Sequence, residues 1–250
     1  MLAVLTAAAA LAPPITLTRE RNGWCIRSAQ LWLALEVKAI DFTTVRGLAP
    51  AELPQLTLPD GSSHTDVLDA IRALDAYTPR LWPPEGVDAA AVDAAVSAYN
   101  EFVPTARESA RAPHLFSAAS GFEYDPLPLE TFVDALDTAE KSLADGPFFA
   151  GTALSAADCV WAPLLERYAA QLPCIYDGLE PRRSPRWPKL GAWYGAMDQV
   201  PAYACRCKGD APSWRKVLST SPWWPAGWPP RRGPDAVSYT HLTLPTKRIV

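Results

Sequence analysis

Residues 151–168 read GTALSAADCVWAPLLERY, and this stretch carries the strongest signal for the fold in the sequence. Ser155 and Asp158 stand three positions apart directly before an apolar run, which is the pattern of a capping box, with Asp in place of the usual Glu or Gln. Large apolar residues then recur at helical spacing, namely Trp161, Leu164, Leu165 and Tyr168. The stretch therefore predicts a helix whose first turn is self-capped and whose apolar face is buried.

Further helices are predicted on both sides of this stretch. Apolar positions at intervals of three and four residues predict one helix near residues 92–103 and another near residues 129–143. In RWPKLGAWYGAM, a last helix is predicted to begin near Pro188 and to stop at Pro201. Residues 88–220 are therefore predicted to form an all-helical domain.

The N-terminal part of the chain predicts a small α/β domain over residues 15–76. Residues 15–20 (ITLTRE) and 40–45 (IDFTTV) alternate apolar and polar residues as strands do, and an apolar segment of helical length lies between them. A strand–helix–strand unit of this kind forms a parallel pair with a right-handed connection. A third strand is predicted over residues 55–58, and Thr65 is expected to cap the helix that follows.

Three other regions complete the predicted organisation. Residues 77–87 break all periodicity with their prolines and are interpreted as a linker between the two domains. Residues 221–235 form a Pro- and Trp-rich tail, for which we expect disorder. Residues 236–250, AVSYTHLTLPTKRIV, resemble the conceptual translation of a sequencing adapter and are expected to be an artefact, so His241 is assigned no function.

The composition is that of a globular protein, and it argues against several classes of partner. Apolar residues make up 49% of the chain and charged residues 20%, and the formal net charge is -4. A nucleic-acid-binding surface needs a basic patch, which this balance does not favour, and no apolar run has the length of a membrane span. The sequence therefore predicts neither a nucleic-acid partner nor a membrane partner.

The five cysteines indicate free thiols in a reducing compartment. They show no CxxC spacing and no Cys/His cluster of the kind that binds zinc, so no metal is expected. Residues 1–12 resemble the apolar part of a secretory signal but lack its basic start. We expect a cytoplasmic protein, with a plastid or another organelle as the alternative.

Two segments of the helical part resemble the glutathione S-transferase superfamily. GTALSAAD is similar to the family's capping box before a buried helix, and RWPKLGAWYGAM is similar to its C-terminal Pro-x-Leu-x-x-Trp helix. The resemblance extends over residues 15–208. It implies a thioredoxin-like α/β N-terminal domain followed by an all-α C-terminal domain, and it leaves open whether the chain forms a homodimer.

The segment NGWCIRSAQLWLALE, residues 22–36, extends the resemblance to chemistry. Without gaps it matches the Cys-Pro-Phe-Ala-Gln-Arg-Val-Trp-Ile-Ala-Leu-Glu type of segment in the omega, lambda and dehydroascorbate-reductase-like classes, with Cys25 on their catalytic cysteine. The match implies a glutathione-dependent thiol transferase that reduces mixed disulfides or dehydroascorbate. Ile26 departs from the family's proline, and Arg27 departs from its aromatic residue.

The resemblance also implies how glutathione, as the co-substrate, is bound. Leu53 and Pro54 match the family's cis-proline turn, where the residue before the proline offers its backbone to the cysteine portion of glutathione. His64 and Thr65 match the pair that binds the γ-glutamyl end, although an acid or its amide usually stands in place of His64. Thr65 would supply its hydroxyl and the amides of a helix N-terminus to a carboxylate. The other substrate would be a small oxidised or electrophilic molecule.

Elementary electrostatics supports Cys25 as a thiolate nucleophile. A cysteine at the first turn of a helix faces unpaired backbone N–H groups and the positive end of the helix dipole, and both favour the charged thiolate. Arg27 would add to this field. Because Ser28 stands where a second cysteine could form an internal disulfide, the resolving thiol would come from glutathione.

Three alternatives stay open at this point. Cys25 could be a small buried residue ahead of an apolar helix. The chain could be a transferase that conjugates glutathione to electrophiles, for which Ser28 is the nearest hydroxyl and lies one turn late. It could also be a non-catalytic interaction module, which the short segment before Pro54 favours because the family places a pocket helix there.

Overall fold

The structure, a computed structural model, describes residues 14–20, 25–47, 53–102, 129–176 and 178–220. The strands and α-helices in these ranges are, in chain order, Ile15–Glu20 (β1), Ile26–Val37 (α1), Phe42–Gly47 (β2), Gln55–Thr57 (β3), Ser63–His64 (β4), Val67–Ala73 (α2), Ala89–Phe102 (α3), Leu129–Ser142 (α4), Ala156–Ile175 (α5), Pro188–Met197 (α6), Pro201–Arg206 (α7) and Ala211–Thr220 (α8). The predicted tail and the adapter-like segment lie outside the described residues.

The strands form one mixed sheet in the order β2-β1-β3-β4. β1 runs parallel to β2 and antiparallel to β3, and β3 is antiparallel to β4. The predicted strand–helix–strand unit is present, and the alternation of β1 buries Ile15, Leu17 and Arg19 on one face. β4 is absent from the sequence-based prediction because two residues are too few to display a period of two.

The second part of the fold is all-helical, as predicted, and α5 is its most buried helix. Residues 155–168 are all buried, and the helix continues through Pro163 and Pro173 to Ile175. α6 begins at Pro188 as expected. It is not the last helix, however, because Pro201 occupies the first turn of α7, where the missing N–H of proline is no loss.

The capping box predicted at the start of α5 is present. The Asp158 carboxylate accepts hydrogen bonds from the backbone N–H of Ser155 (2.8 Å) and from the Ser155 hydroxyl (2.9 Å). It also accepts from the Phe149 N–H and from the Trp193 indole N–H, both at 2.9 Å. Burial raises the pKa of Asp158, and these donors offset part of that effect because they favour the charged form. The box therefore ties the start of α5 to the preceding loop and to α6.

Polar contacts join the α/β part to the helical part. Gln30 Nε2 of α1 donates to the Val160 carbonyl oxygen of α5 at 2.7 Å, and both residues are buried. The connection from α2 to α3 is held by Asp75, whose carboxylate accepts from the Leu81 and Trp82 N–H groups at 2.8 Å each. The Gln30 bond joins α1, the helix that begins after Cys25, to α5, and the Asp75 bonds order the connection between α2 and α3.

Candidate active site at the start of α1

Cys25 occupies the N-cap position of α1, directly before the first helical residue, Ile26. Its backbone is extended (φ -71°, ψ 115°), and its side chain makes no capping hydrogen bond. Its carbonyl oxygen accepts from the Ala29 N–H at 3.1 Å, and the residue is half-buried. The thiol therefore stands at the N-terminal, positive end of a twelve-residue helix.

Leu53 and Pro54 lie at the same end of the sheet as Cys25. α1 follows β1, and the pairing of Gln55 with Thr18 places Pro54 beside the C-terminal end of that strand. The Leu53–Pro54 peptide bond is cis, as the resemblance implies. Leu53 is buried so close to Gly47, the last residue of β2, that a Cβ on this glycine would lie 3.2 Å from Leu53 Cδ1. The N-cap of α1 and the cis-proline turn thus share one edge of the sheet.

His64, the last residue of β4, and Thr65, the residue after it, lie at this same edge of the sheet. His64 is half-buried and pairs with Leu56 in β3. Thr65 is exposed, and its carbonyl oxygen accepts a hydrogen bond from Arg27 Nη2 at 2.9 Å. Since Arg27 lies two residues after Cys25, this bond connects the first turn of α1 to the residues matched to the γ-glutamyl end of glutathione.

The prediction that Thr65 caps α2 is wrong, because Asp66 is the N-cap residue. Asp66 Oδ1 accepts from the Leu68 N–H at 2.8 Å and from the Asp69 N–H at 3.1 Å. Asp is a better N-cap than Thr, and from position 66 its carboxylate reaches the second and third amides of the helix. These two amides are therefore occupied by the protein's own carboxylate.

Polar side chains of α1 and α3 contact each other. Gln30, which is 4% exposed, hydrogen-bonds Tyr99 of α3 in addition to its bond to α5. The Tyr99 ring packs edge-on against Trp161, with centroids 5.2 Å apart. Burial raises the pKa of the Tyr99 phenol, Gln30 and Arg167 lower it, and the charge of Cys25 raises it further. The phenol is therefore protonated at neutral pH.

Ser28 follows Cys25 by three residues and is only 2% exposed. It is the third residue of α1, and its hydroxyl has no hydrogen-bond partner among the residues that the structure describes. Native structures leave few buried hydroxyls unpaired, so each such group requires a physical explanation.

The other cysteines differ from Cys25 in their surroundings. Cys159 and Cys207 are buried, Cys174 and Cys205 are half-buried, and burial raises the pKa of the Cys159 thiol. Within the described ranges, no group of three or more His, Cys, Asp or Glu side chains is arranged to hold a metal ion. Over the same ranges, no helix combines the length and the apolar character that crossing a membrane requires.

Sequence reasoning missed Asp66 and Gln30, and Tyr99 belongs to the helix that was predicted near residues 92–103. Asp66 could have been recognised, because an Asp before the apolar positions of α2 is a strong N-cap signal. Gln30 offered only a weak signal, a polar residue within an apolar stretch. Tyr99 is buried as its spacing suggests, and its hydrogen bond with Gln30 depends on packing that no local pattern encodes.

Comparison with known families finds a match in the helical part. Residues 127–196 match the family model described as "Glutathione S-transferase, C-terminal domain". This range contains the capping box of α5 and ends within α6, the two segments on which the resemblance to this superfamily depends. Among curated proteins, none matches the chain.

Solved glutathione transferases of several classes share the fold. Omega 2S from Trametes versicolor is 17% identical with a TM-score of 0.63, and the match covers 84% of this chain and 98% of that one. A theta-class transferase from the citrus canker pathogen Xanthomonas axonopodis pv. citri, with glutathione bound, is 18% identical with a TM-score of 0.56, over 78% and 97%. The trimeric glutathione transferase of Leishmania is 18% identical with a TM-score of 0.59, over 81% of this chain, which spans 47% of that protein's length. At these identities the likeness shows the fold and not the class.

Proposed function

We propose that this chain is a glutathione-dependent thiol transferase whose nucleophile is Cys25. The observation that carries the proposal is the position of Cys25, half-buried at the N-cap of α1 and without a capping hydrogen bond, at the sheet edge that also holds the cis Leu53–Pro54 turn. A thiolate at this position would place its negative charge at the positive end of the helix dipole. The thiolate is the attacking species in thiol–disulfide exchange.

The proposed reaction has two exchange steps. The Cys25 thiolate attacks the glutathione sulfur of a mixed disulfide, a Cys25–glutathione disulfide forms, the original S–S bond breaks, and the released thiolate takes a proton from water. The thiolate of a second glutathione then attacks the bound glutathione sulfur, which releases glutathione disulfide and restores the Cys25 thiolate. With dehydroascorbate as the oxidant, two glutathione molecules supply the two electrons.

The residues around Cys25 suggest how glutathione is held. The Leu53 backbone before Pro54 would pair with the cysteine portion, and His64 and Thr65 would receive the γ-glutamyl end. Because Asp66 occupies the amides of Leu68 and Asp69, the γ-glutamyl carboxylate would instead meet the Thr65 hydroxyl and the adjacent Arg27 guanidinium. Support for glutathione as the ligand comes from the fold shared with transferases such as the glutathione-bound theta-class enzyme.

The test compares the full-length chain with its Cys25→Ser and Cys25→Ala variants. Glutathione-dependent reduction is measured with the mixed disulfide of glutathione and cysteine and with dehydroascorbate. Loss of the nucleophile is expected to lower kcat/KM by at least about 1000-fold. Cys174→Ser serves as the matched control, since it removes a half-buried thiol near the end of α5 and should leave the rate unchanged. Reduction that survives Cys25→Ala would contradict the proposal.

One observation favours a second candidate, a non-catalytic interaction module with the same fold. Only residues 48–52 separate β2 from Leu53, which is too short for a stable pocket helix of the kind the resemblance implies there. Calorimetric titration with glutathione separates the two candidates. Absence of both glutathione binding and reduction would favour the module, whereas conjugation of a chloronitrobenzene that persists in Cys25→Ala would favour a conjugating transferase.

A further inference from the structure

The two edge strands of the sheet differ in length. β4, at one edge, contains only Ser63 and His64, whereas β2, at the other edge, contains the six residues Phe42–Gly47. β2 pairs with β1 in one continuous parallel register without a bulge, and no described strand pairs with its outer side. Short edge strands and bulges are two of the ways in which proteins prevent one sheet from pairing with another. β4 has the first of these protections, and β2 has neither.

The sequence of β2 also lacks the residues that usually protect an edge strand. FTTVRG contains no proline and no lysine, and its Phe, Thr and Val residues favour strands. The exposed side chains of β2 are Thr43, Val45 and Arg46. Val45, with 46% of its surface exposed, and Leu129 are the large apolar side chains that stand exposed in the described part of the chain. Among the described residues, the outer edge of β2 is therefore open to another strand.

A second copy of β2 fits this edge in an antiparallel arrangement. A twofold axis through Thr44, perpendicular to the sheet, would place Thr44 opposite its counterpart, Phe42 opposite Arg46 and Thr43 opposite Val45. Opposed residues then lie on the same face of the joined sheet, as the strand period of two requires. A slip by one residue would bring opposite faces together. This register pairs every residue of β2 except its terminal glycine.

The side chains of β2 are complementary to themselves in this register. The Arg46 guanidinium of one copy would lie beside the Phe42 ring of the other, which is a favourable cation–π pair, and Arg46 would not oppose itself. Asp41, directly before β2, would lie one position away from the Arg46 of the other copy, so that opposite charges approach each other. The exposed Val45 would pack against Thr43, which covers part of its apolar surface. These pairings favour a second copy of the chain as the occupant of this edge.

We propose that the outer edge of β2 binds the same edge of a second copy of this chain, so that two four-stranded sheets join into one sheet of eight strands. A single strand pair buries less surface than a standard interface, so the dimer is expected to be weak and reversible. The paired strands run in opposite directions, which places the two Cys25 sites at opposite ends of the joined sheet. Neither copy therefore contributes to the site of the other, and the inference goes beyond the proposed function without depending on it.

The test uses two double variants of the full chain that differ only at residue 45. In Thr43→Lys/Val45→Glu, each introduced lysine would oppose an introduced glutamate of the other copy. In Thr43→Lys/Val45→Lys, lysines would oppose each other at both positions. Because both side chains are exposed, neither variant should disturb the fold of the monomer. Sedimentation equilibrium measures the dissociation constant of the dimer for wild type and for both variants.

Wild type is expected to show a concentration-dependent monomer–dimer equilibrium between about 1 μM and 1 mM, the range of weak association. Thr43→Lys/Val45→Lys should raise the dissociation constant at least about 10-fold, because like charges directly opposite each other destabilise a strand pair. Thr43→Lys/Val45→Glu should dimerise at least as well as wild type. A wild type that is monomeric over this range would overturn the inference, and so would the same dissociation constant for the two variants.

The matched control carries the same added charge on another surface. Ala94→Lys/Ser97→Lys places two lysines at exposed positions of α3 and should leave the dissociation constant unchanged. Weaker association of this control, with no effect of the lysines in β2, would assign the interface to α3 and overturn the inference. Far-UV circular dichroism and the urea midpoint check that every variant is folded.

The association is measured without glutathione, so its outcome is separate from that of the proposed function. Both β2 variants should keep the kcat/KM of wild type per subunit, because the joined edge lies away from Cys25. A dimer that forms through β2 in a protein without thiol transfer would remove the proposed function alone. An active protein that stays monomeric would remove the β2 interface alone.

Discussion

Helices α1 and α5 differ in how the side chains at their N-cap and N3 positions are hydrogen-bonded. At α5, the N-cap Ser155 and the N3 Asp158 bond to each other, and Asp158 accepts two further hydrogen bonds from elsewhere in the fold. At α1, the N-cap Cys25 makes no capping bond, and the N3 Ser28 hydroxyl is buried without a partner among the described residues. The first arrangement is complete by itself, whereas the second leaves the start of α1 without a side-chain cap. This is the difference expected between a helix start that stabilises a fold and one that, under the proposed function, holds the nucleophile.

The substitution with the largest expected effect removes the carboxylate of the capping box at the start of α5. Asp158→Ala leaves the buried N–H groups of Phe149, Ser155 and Trp193 without their acceptor. We expect the free energy of unfolding, measured with urea, to fall by about 3 to 5 kcal/mol. Asp145→Ala is the control, since that carboxylate is fully exposed and solvent screens its ion pair with Lys189, so its loss should change the free energy of unfolding little. Equal losses in the two variants would contradict the structural role of Asp158.

A second prediction concerns the bond that joins the two helices. Gln30→Leu preserves most of the side-chain volume and removes the hydrogen bonds to the Val160 carbonyl and to Tyr99. We expect the free energy of unfolding to fall by about 1 to 2 kcal/mol, the net effect of one or two buried hydrogen bonds. Gln55→Leu is the matched control, because its bond to Ser63 is exposed and its loss should cost much less. A loss no larger than that of the control would mean that α1 and α5 are held by apolar packing alone.

A third prediction concerns a substitution that gives α1 a side-chain cap. Cys25→Ser introduces an oxygen that can accept from the N2 or N3 amide of the helix, as Ser residues do at N-caps. We expect the free energy of unfolding to exceed that of Cys25→Ala by about 0.5 to 1 kcal/mol, while both variants lose thiol transfer. Equal stability of the two variants, measured by chemical denaturation, would mean that the start of α1 gains nothing from a side-chain cap.

The smallest expected effect concerns the start of α6, which is stabilised by a side chain of α4. Asp137 of α4 accepts from the Trp187 indole N–H at 2.7 Å and pairs with Arg186, and these donors lower its pKa to about 2. Because this pKa lies below the ordinary value of 3.8, the stabilisation is complete above the ordinary value and is lost as the pH falls towards 2. Asp137→Asn should therefore lower stability by about 0.5 kcal/mol at neutral pH, within the range of exposed pairs.

The pH dependence is the check on this last prediction. The difference in free energy of unfolding between wild type and Asp137→Asn should shrink when the pH is lowered from about 6 to about 2.5. High salt should reduce it as well, since the Arg186 partner is exposed. A difference that stays constant across this pH range would mean that the carboxylate charge does not contribute to the start of α6.

Much of the fold follows from patterns that span a few residues. The capping box of Ser155 and Asp158, the alternation of β1 and the start of α6 at Pro188 were all predictable, because helix geometry and the strand period relate residues that are close in sequence. One error arose where neighbouring residues offered two similar solutions. Thr65 and Asp66 could both cap α2, and the carboxylate prevails because it accepts from two amides at once.

The sequence by itself determined the order of the elements, the self-capped start of α5 and the place of Cys25 before α1. Only the tertiary structure decided that Asp158 also binds Trp193, 35 residues away, that Gln30 bonds Val160 across 130 residues, and that the Ser28 side chain is buried. The physical reason lies in the range of the interactions. Contacts within one turn follow from backbone geometry and residue type, whereas burial and long-range hydrogen bonds depend on how the whole core packs.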